Sequence, residues 1–153
     1  MRSLIEVRAD ALNGIADAQE WEEVEFMVDS GAGTTVIPTD EVRAVKPSDP
    51  DPNRDYKLAD GSLIPDKGMK TFNAQTEDEQ WRLISARVTD VDKALLSVSQ
   101  IVQKGGATVV FAPEGGYIQN PGSPAIPLEL RNSTYCLKMW VPKDQKQPFQ
   151  GRT

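Results

Sequence analysis

The chain has 153 residues, 39% hydrophobic and 26% charged, which suits one globular domain with a modest core and excludes disorder throughout. Its 17 Lys and Arg against 23 Asp and Glu leave a formal charge of -6, which opposes capture of a polyanion, so nucleic acid is not an expected partner. With no histidine and a single cysteine, Cys136, the chain lacks the means for Ser-His-Asp or Cys-His catalysis, an internal disulfide or a cysteine-based zinc site. Hydrolytic chemistry would have to run on carboxylates, Lys, Tyr or hydroxyls.

From Leu4 to Ala11 apolar and charged residues alternate, the period of two that marks a half-buried strand. The same start, MRSLIEVRAD, has no apolar block of the signal-peptide kind, and no run approaches the roughly 18 apolar residues of a spanning helix. A soluble, unexported, intracellular chain without a membrane partner is expected. After a turn signal at Asn13-Gly14, Trp21 to Val28 alternates again, with Val24, Phe26 and Val28 on one face and Glu23 and Glu25 on the other. The acidic cluster Glu20, Glu22, Glu23 and Glu25 reads as a solvated face rather than a metal site.

The strand ends on Asp29-Ser30-Gly31-Ala32-Gly33 and resumes as Thr34-Thr35-Val36-Ile37. Residues 46–55 (KPSDPDPNRD) have almost nothing to bury and read as a surface loop. Asp60-Gly61 lies between apolar flanks in Tyr56 to Leu63, a hairpin-turn signal, and further strands are expected at Met69 to Thr76 and Trp81 to Val91. Ala94 to Gly105 is the one expected helix: Ser97 and Gln100 form a capping-box pair, Val98, Ile101 and Val102 one apolar face, and Gly105 the stop. Short strands are then expected at Thr108 to Phe111, Tyr117-Ile118, Ile126 to Leu130 and Tyr135 to Val141, before a polar tail from Lys143 that is expected to fray. Cys136 is expected to pack as a small apolar residue.

The chemistry-bearing segment is Phe26-Met27-Val28-Asp29-Ser30-Gly31-Ala32. Apolar residues drive a strand into the core and deliver a carboxylate at its end, which is costly to bury unless backbone N–H groups and a hydroxyl bond to it. Ser30 has the hydroxyl, and Gly31 lets the chain turn back closely enough to supply donors. On Asp29 alone the competing reading is a solvated turn aspartate, and Asp60-Gly61 closes many hairpins that never touch a ligand.

A hydrophobic pair followed by Asp-(Ser/Thr)-Gly-Ala resembles the active-site motif of retropepsins, the aspartic proteases of retroviruses and LTR retrotransposons. Leu58-Ala59-Asp60-Gly61-Ser62-Leu63 followed by Gly68 looks like the flap of retrotransposon proteases, and Ala94-Leu95-Leu96-Ser97-Val98-Ser99-Gln100-Ile101 is similar to the segment before the family's C-terminal strands, with Copia-type wording. Gly33 and Val98 stand near the places of an Asp–Arg ion pair found in many members, so that pair is absent here.

The resemblance covers roughly residues 4–111 and implies an all-β, mainly antiparallel fold with one short helix, a half-barrel closed by dimerisation. It implies a protease domain over 1–142 with a C-terminal β-hairpin extension, and a polar flexible tail over 143–153. It implies a homodimeric aspartic endopeptidase, since only one Asp-(Ser/Thr)-Gly triplet is present and the second carboxylate must come from another copy. Asp29 is then catalytic, Ser30, Gly31 and Ala32 support it, Ala59, Asp60, Gly61 and Ser62 form the substrate-binding flap, and neither metal nor other cofactor is required. The substrate implied is a peptide, in particular a retrotransposon-type polyprotein from which the enzyme itself is released. The alternative is a catalytically inactive module of the same fold that dimerises or binds peptides.

Overall fold

A computed structural model describes residues 4–6 and 20–146. The strand expected to run on to Ala11, the Asn13-Gly14 turn and residues 147–153 lie outside the described residues. Among the described residues there are twelve strands: β1 (Leu4–Glu6), β2 (Glu20–Asp29), β3 (Val36–Ile37), β4 (Asp55–Lys57), β5 (Leu63–Pro65), β6 (Met69–Thr76), β7 (Trp81–Val88), β8 (Ala94–Ser97), β9 (Thr108–Ala112), β10 (Gly115–Gln119), β11 (Ile126–Arg131) and β12 (Thr134–Pro142). One helix, α1 (Val98–Gln103), is present among the described residues. The fold is mostly β-sheet with one short helix, and no described helix is long and apolar enough to cross a membrane.

Alternation writes β2 into the core as expected: Val24, Phe26 and Val28 are buried while Glu23, Glu25 and Met27 are half-exposed. Both edges of β2 are used, because β8 pairs with it in parallel and β12 antiparallel. Ten strands run in the order β1-β2-β8-β3-β7-β6-β12-β11-β10-β9, and the additional β2–β12 pairing joins β2, β8, β3, β7, β6 and β12 into a ring. Ring closure is therefore internal to one chain, and it leaves those six strands with partners on both sides over their paired stretches. Inside the ring sit Phe26, Ile37, Phe72, Ala86, Leu96 and Met139, all buried.

The segment Ala94 to Gly105 divides. Ala94 to Ser97 is strand, paired residue for residue with Phe26 to Asp29, and only Val98–Gln103 is helical. Ala and Leu favour a helix by less than about 1 kcal/mol per residue, whereas burying a leucine side chain gains roughly 1.5–3 kcal/mol, so tertiary pairing overrides local preference. Ser97 caps the helix through its Oγ, which accepts the Gln100 N–H at 3.2 Å. The reciprocal half of the capping box does not form, because the Gln100 side chain reaches Thr35 instead. Val98 and Ile101 pack against the core but Val102 is 40% exposed, and the left-handed residue after the helix is Gly106, not Gly105.

An irregular stretch between strands is held by buried charge. The Asp66 carboxylate, fully buried, accepts from Arg87 Nε (3.0 Å) and Nη2 (2.6 Å), from Tyr56 OH (2.6 Å), and from the N–H groups of Asp51 (2.9 Å) and Gly68 (3.1 Å). Burial by itself raises the Asp66 pKa, but these donors, Arg87 first, outweigh it and hold the carboxyl well below its ordinary value. Gly68 must be glycine: at φ 109° a Cβ would lie 2.1 Å from the Ser48 carbonyl oxygen. This network ties the 47–54 loop and the β4–β5 hairpin to β7.

Residues 143–146 of the polar tail are described and contact the sheet. Lys143 N–H donates to the Glu20 carbonyl at 2.9 Å and its Nζ pairs with the Glu20 carboxylate at 3.0 Å. Gln145 exchanges hydrogen bonds with the backbone of Asn73 on β6. Residues 143–146 are thus anchored to two strands of the ring.

Asp66→Ala leaves the Arg87 guanidinium without its counter-charge and is expected to destabilise the fold by about 3–5 kcal/mol in urea denaturation. Because the folded-state pKa of Asp66 is depressed, its stabilisation is present above the ordinary value of 3.8 and is lost as pH falls below it. The wild type should accordingly lose stability on acidification below about pH 4 more steeply than Asp66→Ala does.

Candidate active site

Asp29 is the last residue of β2 and stands opposite Ser97, the last residue of β8. The apolar run Phe26 to Val28 carries the chain to this point, where the ladder ends and the half-buried carboxylate emerges. Its Oδ1 accepts the Gly31 N–H at 2.8 Å, an Asx-type turn that folds the chain back immediately after the strand. A Cβ on Gly31 would meet the same oxygen at 3.4 Å, an ordinary contact distance, so within one chain Gly31 acts through its N–H rather than through missing bulk. Ser30 and Gly31 are exposed and Ala32 half-buried.

Beyond this turn the loop is bolted to β8 and α1. Ser97, fully buried, donates through Oγ to the Ala32 carbonyl at 2.7 Å, and its N–H donates to Thr35 Oγ1 at 3.0 Å. Thr35 N–H donates in turn to Gln100 Oε1 at 2.8 Å. These three bonds link residues more than sixty positions apart and satisfy backbone groups that no strand ladder reaches. Sequence reading placed Ser97 and Gln100 on a helix end and left Thr35 in a strand; their meeting at the Asp29 loop has no local signal, since it depends on β8 lying between β2 and β3.

The structure brings Asp29, Ser30, Gly31 and Ala32 together with Ser97, Thr35 and Gln100. The turn carrying Ala59, Asp60, Gly61 and Ser62 forms a separate exposed unit, joining β4 and β5 in their own two-stranded sheet. Leu58 N–H donates to the Ser62 carbonyl (2.8 Å), Gly61 N–H to the Leu58 carbonyl (2.9 Å), and Gly61 takes φ 89°, open to glycine. Asp60 Oδ1 accepts from Ser62 Oγ (2.6 Å) and N–H (2.9 Å), and the hydroxyl first, then the amide, holds its carboxyl below the usual range. Among the described residues no hydrogen bond or ion pair joins this turn to the Asp29 loop.

One carboxylate of the expected solvated face, Glu22, departs from it. Glu22 lies on the core side of β2 in phase with Val24 and is buried, its two oxygens accepting from Val42 N–H (3.0 Å) and Arg43 N–H (2.8 Å). That cradle, with Lys70 Nζ donating to the Glu41 (2.8 Å) and Val42 (2.9 Å) carbonyls, supports Val42 at φ 56°, a conformation that costs a β-branched residue about 1–3 kcal/mol. Burial first, then Asp40 and Glu22, pushes Glu41 up to about 7 against the opposing pull of Arg43, and its Oε1 has no hydrogen-bond partner among the described residues. By contrast, Glu20, Glu23 and Glu25 pair with Lys143, Lys138 and Arg131 at the surface. No group of three or more His, Cys, Asp or Glu among the described residues is placed to hold a metal ion. Cys136 is half-buried, opposite Met27 in the ladder.

Comparison with protein-family models, with curated proteins and with solved structures finds no match to the chain.

Two outcomes test this geometry. Ser97→Ala removes the donor to Ala32 and the acceptor for Gln100, and should lower stability by about 1–3 kcal/mol while speeding amide exchange across residues 31–35. For Glu41, whose folded pKa lies above the ordinary 4.5, stability should fall as pH rises from about 4.5 to 7, because the unfolded chain gives up the proton first. Thermal melts of Glu41→Gln over that range should lack this decline.

Proposed function

We propose that this chain is an aspartic endopeptidase of the retropepsin kind, acting as a homodimer in which Asp29 of each copy supplies half of one water-activating pair. The observation that carries the reading is a carboxylate at the end of a buried strand, followed by a loop bolted from behind by Ser97 and Gln100. Catalytic groups work when their backbone is held to within a fraction of an ångström, and a side chain on a braced strand end meets that need better than one on a free turn.

In such a dimer the two Asp29 carboxylates face each other across a twofold axis. Two like charges in contact cannot both persist, so the pair holds one proton between them. The ionised member draws a proton from a bound water, which attacks the peptide carbonyl, while the protonated member donates to the carbonyl oxygen and steadies the tetrahedral species. Ser30, exposed beside Asp29, is placed by this reading to brace one loop against the other, and the turn Ala59 to Ser62 to close over the peptide. The domain is read as residues 1–142, and the substrate as a polyprotein of retrotransposon type.

A second reading, the same fold without catalysis, draws on one observation: the strand ring is complete in a single chain and needs no partner copy for its closure. One experiment separates the two. Purified protein is incubated with a mixed peptide library at mildly acid pH, alongside Asp29→Asn, and both are sedimented with and without a statine-type inhibitor. The expected result is cleavage by the wild-type dimer, reduced at least about a hundredfold in Asp29→Asn. Cleavage that survives in Asp29→Asn sinks the endopeptidase reading, and peptide binding without cleavage by the wild type selects the inactive module.

A further inference from the structure

A cleft of about 420 Å³ opens where β7, α1 and the β10–β11 hairpin meet. Its floor is apolar: Phe26, Leu96, Ile118, Ile126, Leu137 and Met139, contributed by strands of the ring and of the C-terminal hairpins, are all buried. Its rim is polar, with Arg82, Gln100, Lys104 and Asn120. Asp29 is not part of it. The volume lies within the range of about 300–1,000 Å³ in which small-molecule sites are found, and an apolar floor with a few convergent polar groups is their usual construction.

The charge of the lining runs against that of the chain. Acidic residues outnumber basic ones by 23 to 17 overall, yet the cleft is lined by Arg82 and Lys104 and by no Asp or Glu. Arg82 is half-buried, and its guanidinium is aimed by Nε to Asn120 Oδ1 (2.8 Å), Nη1 to the Trp81 carbonyl (2.7 Å) and Nη2 to Gln80 Oε1 (3.0 Å). These use three of the five N–H donors of the fork. No carboxylate among the described residues lies within ion-pair distance of it, whereas Arg87, on the same strand but the opposite face, has Asp66. Burial lowers the pKa of Arg82 and only Asp78, acting at longer range, opposes the shift. A cation fixed by neutral acceptors, partly desolvated and without a directly paired carboxylate is a site for an anion, and the apolar floor beneath it calls for a ligand with a hydrocarbon body.

We infer that this cleft binds a small amphipathic carboxylate, with its hydrocarbon part on the Phe26, Leu96, Ile118 and Met139 floor and its carboxylate on Arg82 and Lys104. The guanidinium favours a planar two-oxygen head, and two cations in an acidic chain suit a single negative charge. The inference is independent of whether Asp29 is catalytic. Thr35 and Gln100 also line the cleft, so a bound ligand touches the two residues whose mutual bond braces the Asp29 loop.

The test is a titration of the methyl-labelled full chain with decanoate, kept below its micelle-forming concentration and followed by NMR, with decanol and decylamine as matched probes. Decanoate should bind saturably, one per chain, and shift the methyl signals of Leu96, Ile101, Ile118, Leu137 and Met139. Decanol should bind more weakly and decylamine more weakly still. Arg82→Gln and Lys104→Gln should each weaken decanoate by about tenfold. Lys104 is exposed, so its variant keeps the test decisive if Arg82→Gln fails to fold. Absence of saturation, shifts that map elsewhere, decylamine binding as tightly as decanoate, or unchanged affinity in Lys104→Gln would each overturn the inference.

Discussion

A four-residue strand, Ala94 to Ser97, inserted between β2 and β3 is the constraint on which the rest of the molecule depends. Its parallel pairing with Phe26 to Asp29 sets the depth at which β2 ends, and so the position of the Asp29 carboxylate. Its last residue does several jobs with one hydroxyl: Ser97 Oγ donates to the loop at Ala32 and accepts from the first turn of α1. Strand end, helix start and loop are thereby one rigid corner. The two partners are more than sixty residues apart, so this corner carries the loop-closure cost of a long-range contact.

Elsewhere the same problem recurs and is solved with charge. The segments 38–45 and 47–54 leave the ladder, and their backbone groups need other partners. Glu22 takes two N–H groups of the first and Lys70 two of its carbonyls, while Asp66 takes an N–H of the second together with Arg87 and Tyr56. Glu22 and Lys70 stand on strands in phase with buried apolar residues, and Asp66 is buried just beyond β5. An apolar replacement would bury as well but would leave the loop backbone unsatisfied, which is the greater penalty. Buried charge here fixes irregular chain to regular chain.

The cleft and the Asp29 loop are different in composition but not isolated from each other. One is apolar with a cationic rim, the other a carboxylate held by a backbone N–H, and Thr35 and Gln100 belong to the surroundings of both. A ligand in the cleft would therefore touch two of the residues that brace the loop. A dimeric enzyme built on Asp29 would have its reacting groups on one side of that brace and a small-molecule site on the other.

Elements with a strict local period were legible in the sequence by itself. The alternation of β2 and the apolar run ending in Asp29 are statements about which side of a strand each residue occupies, and period-two burial follows from backbone geometry alone. The Asp60-Gly61 turn and the Ser97 cap were legible for the same reason, as each depends on neighbours within a few residues. What tertiary structure decided were matters of partnership between distant segments. Ala94 to Leu96 has helical composition but is strand because Phe26 to Val28 offers an edge to pair with. Glu22 looks like part of a solvated acidic run but is buried because Val42 and Arg43 arrive with unpaired N–H groups. Ring closure by β12, the Asp66–Arg87 anchor and the brace behind Asp29 arise likewise from contacts across long stretches of sequence, whose free energy exceeds the small local preferences that composition and spacing report.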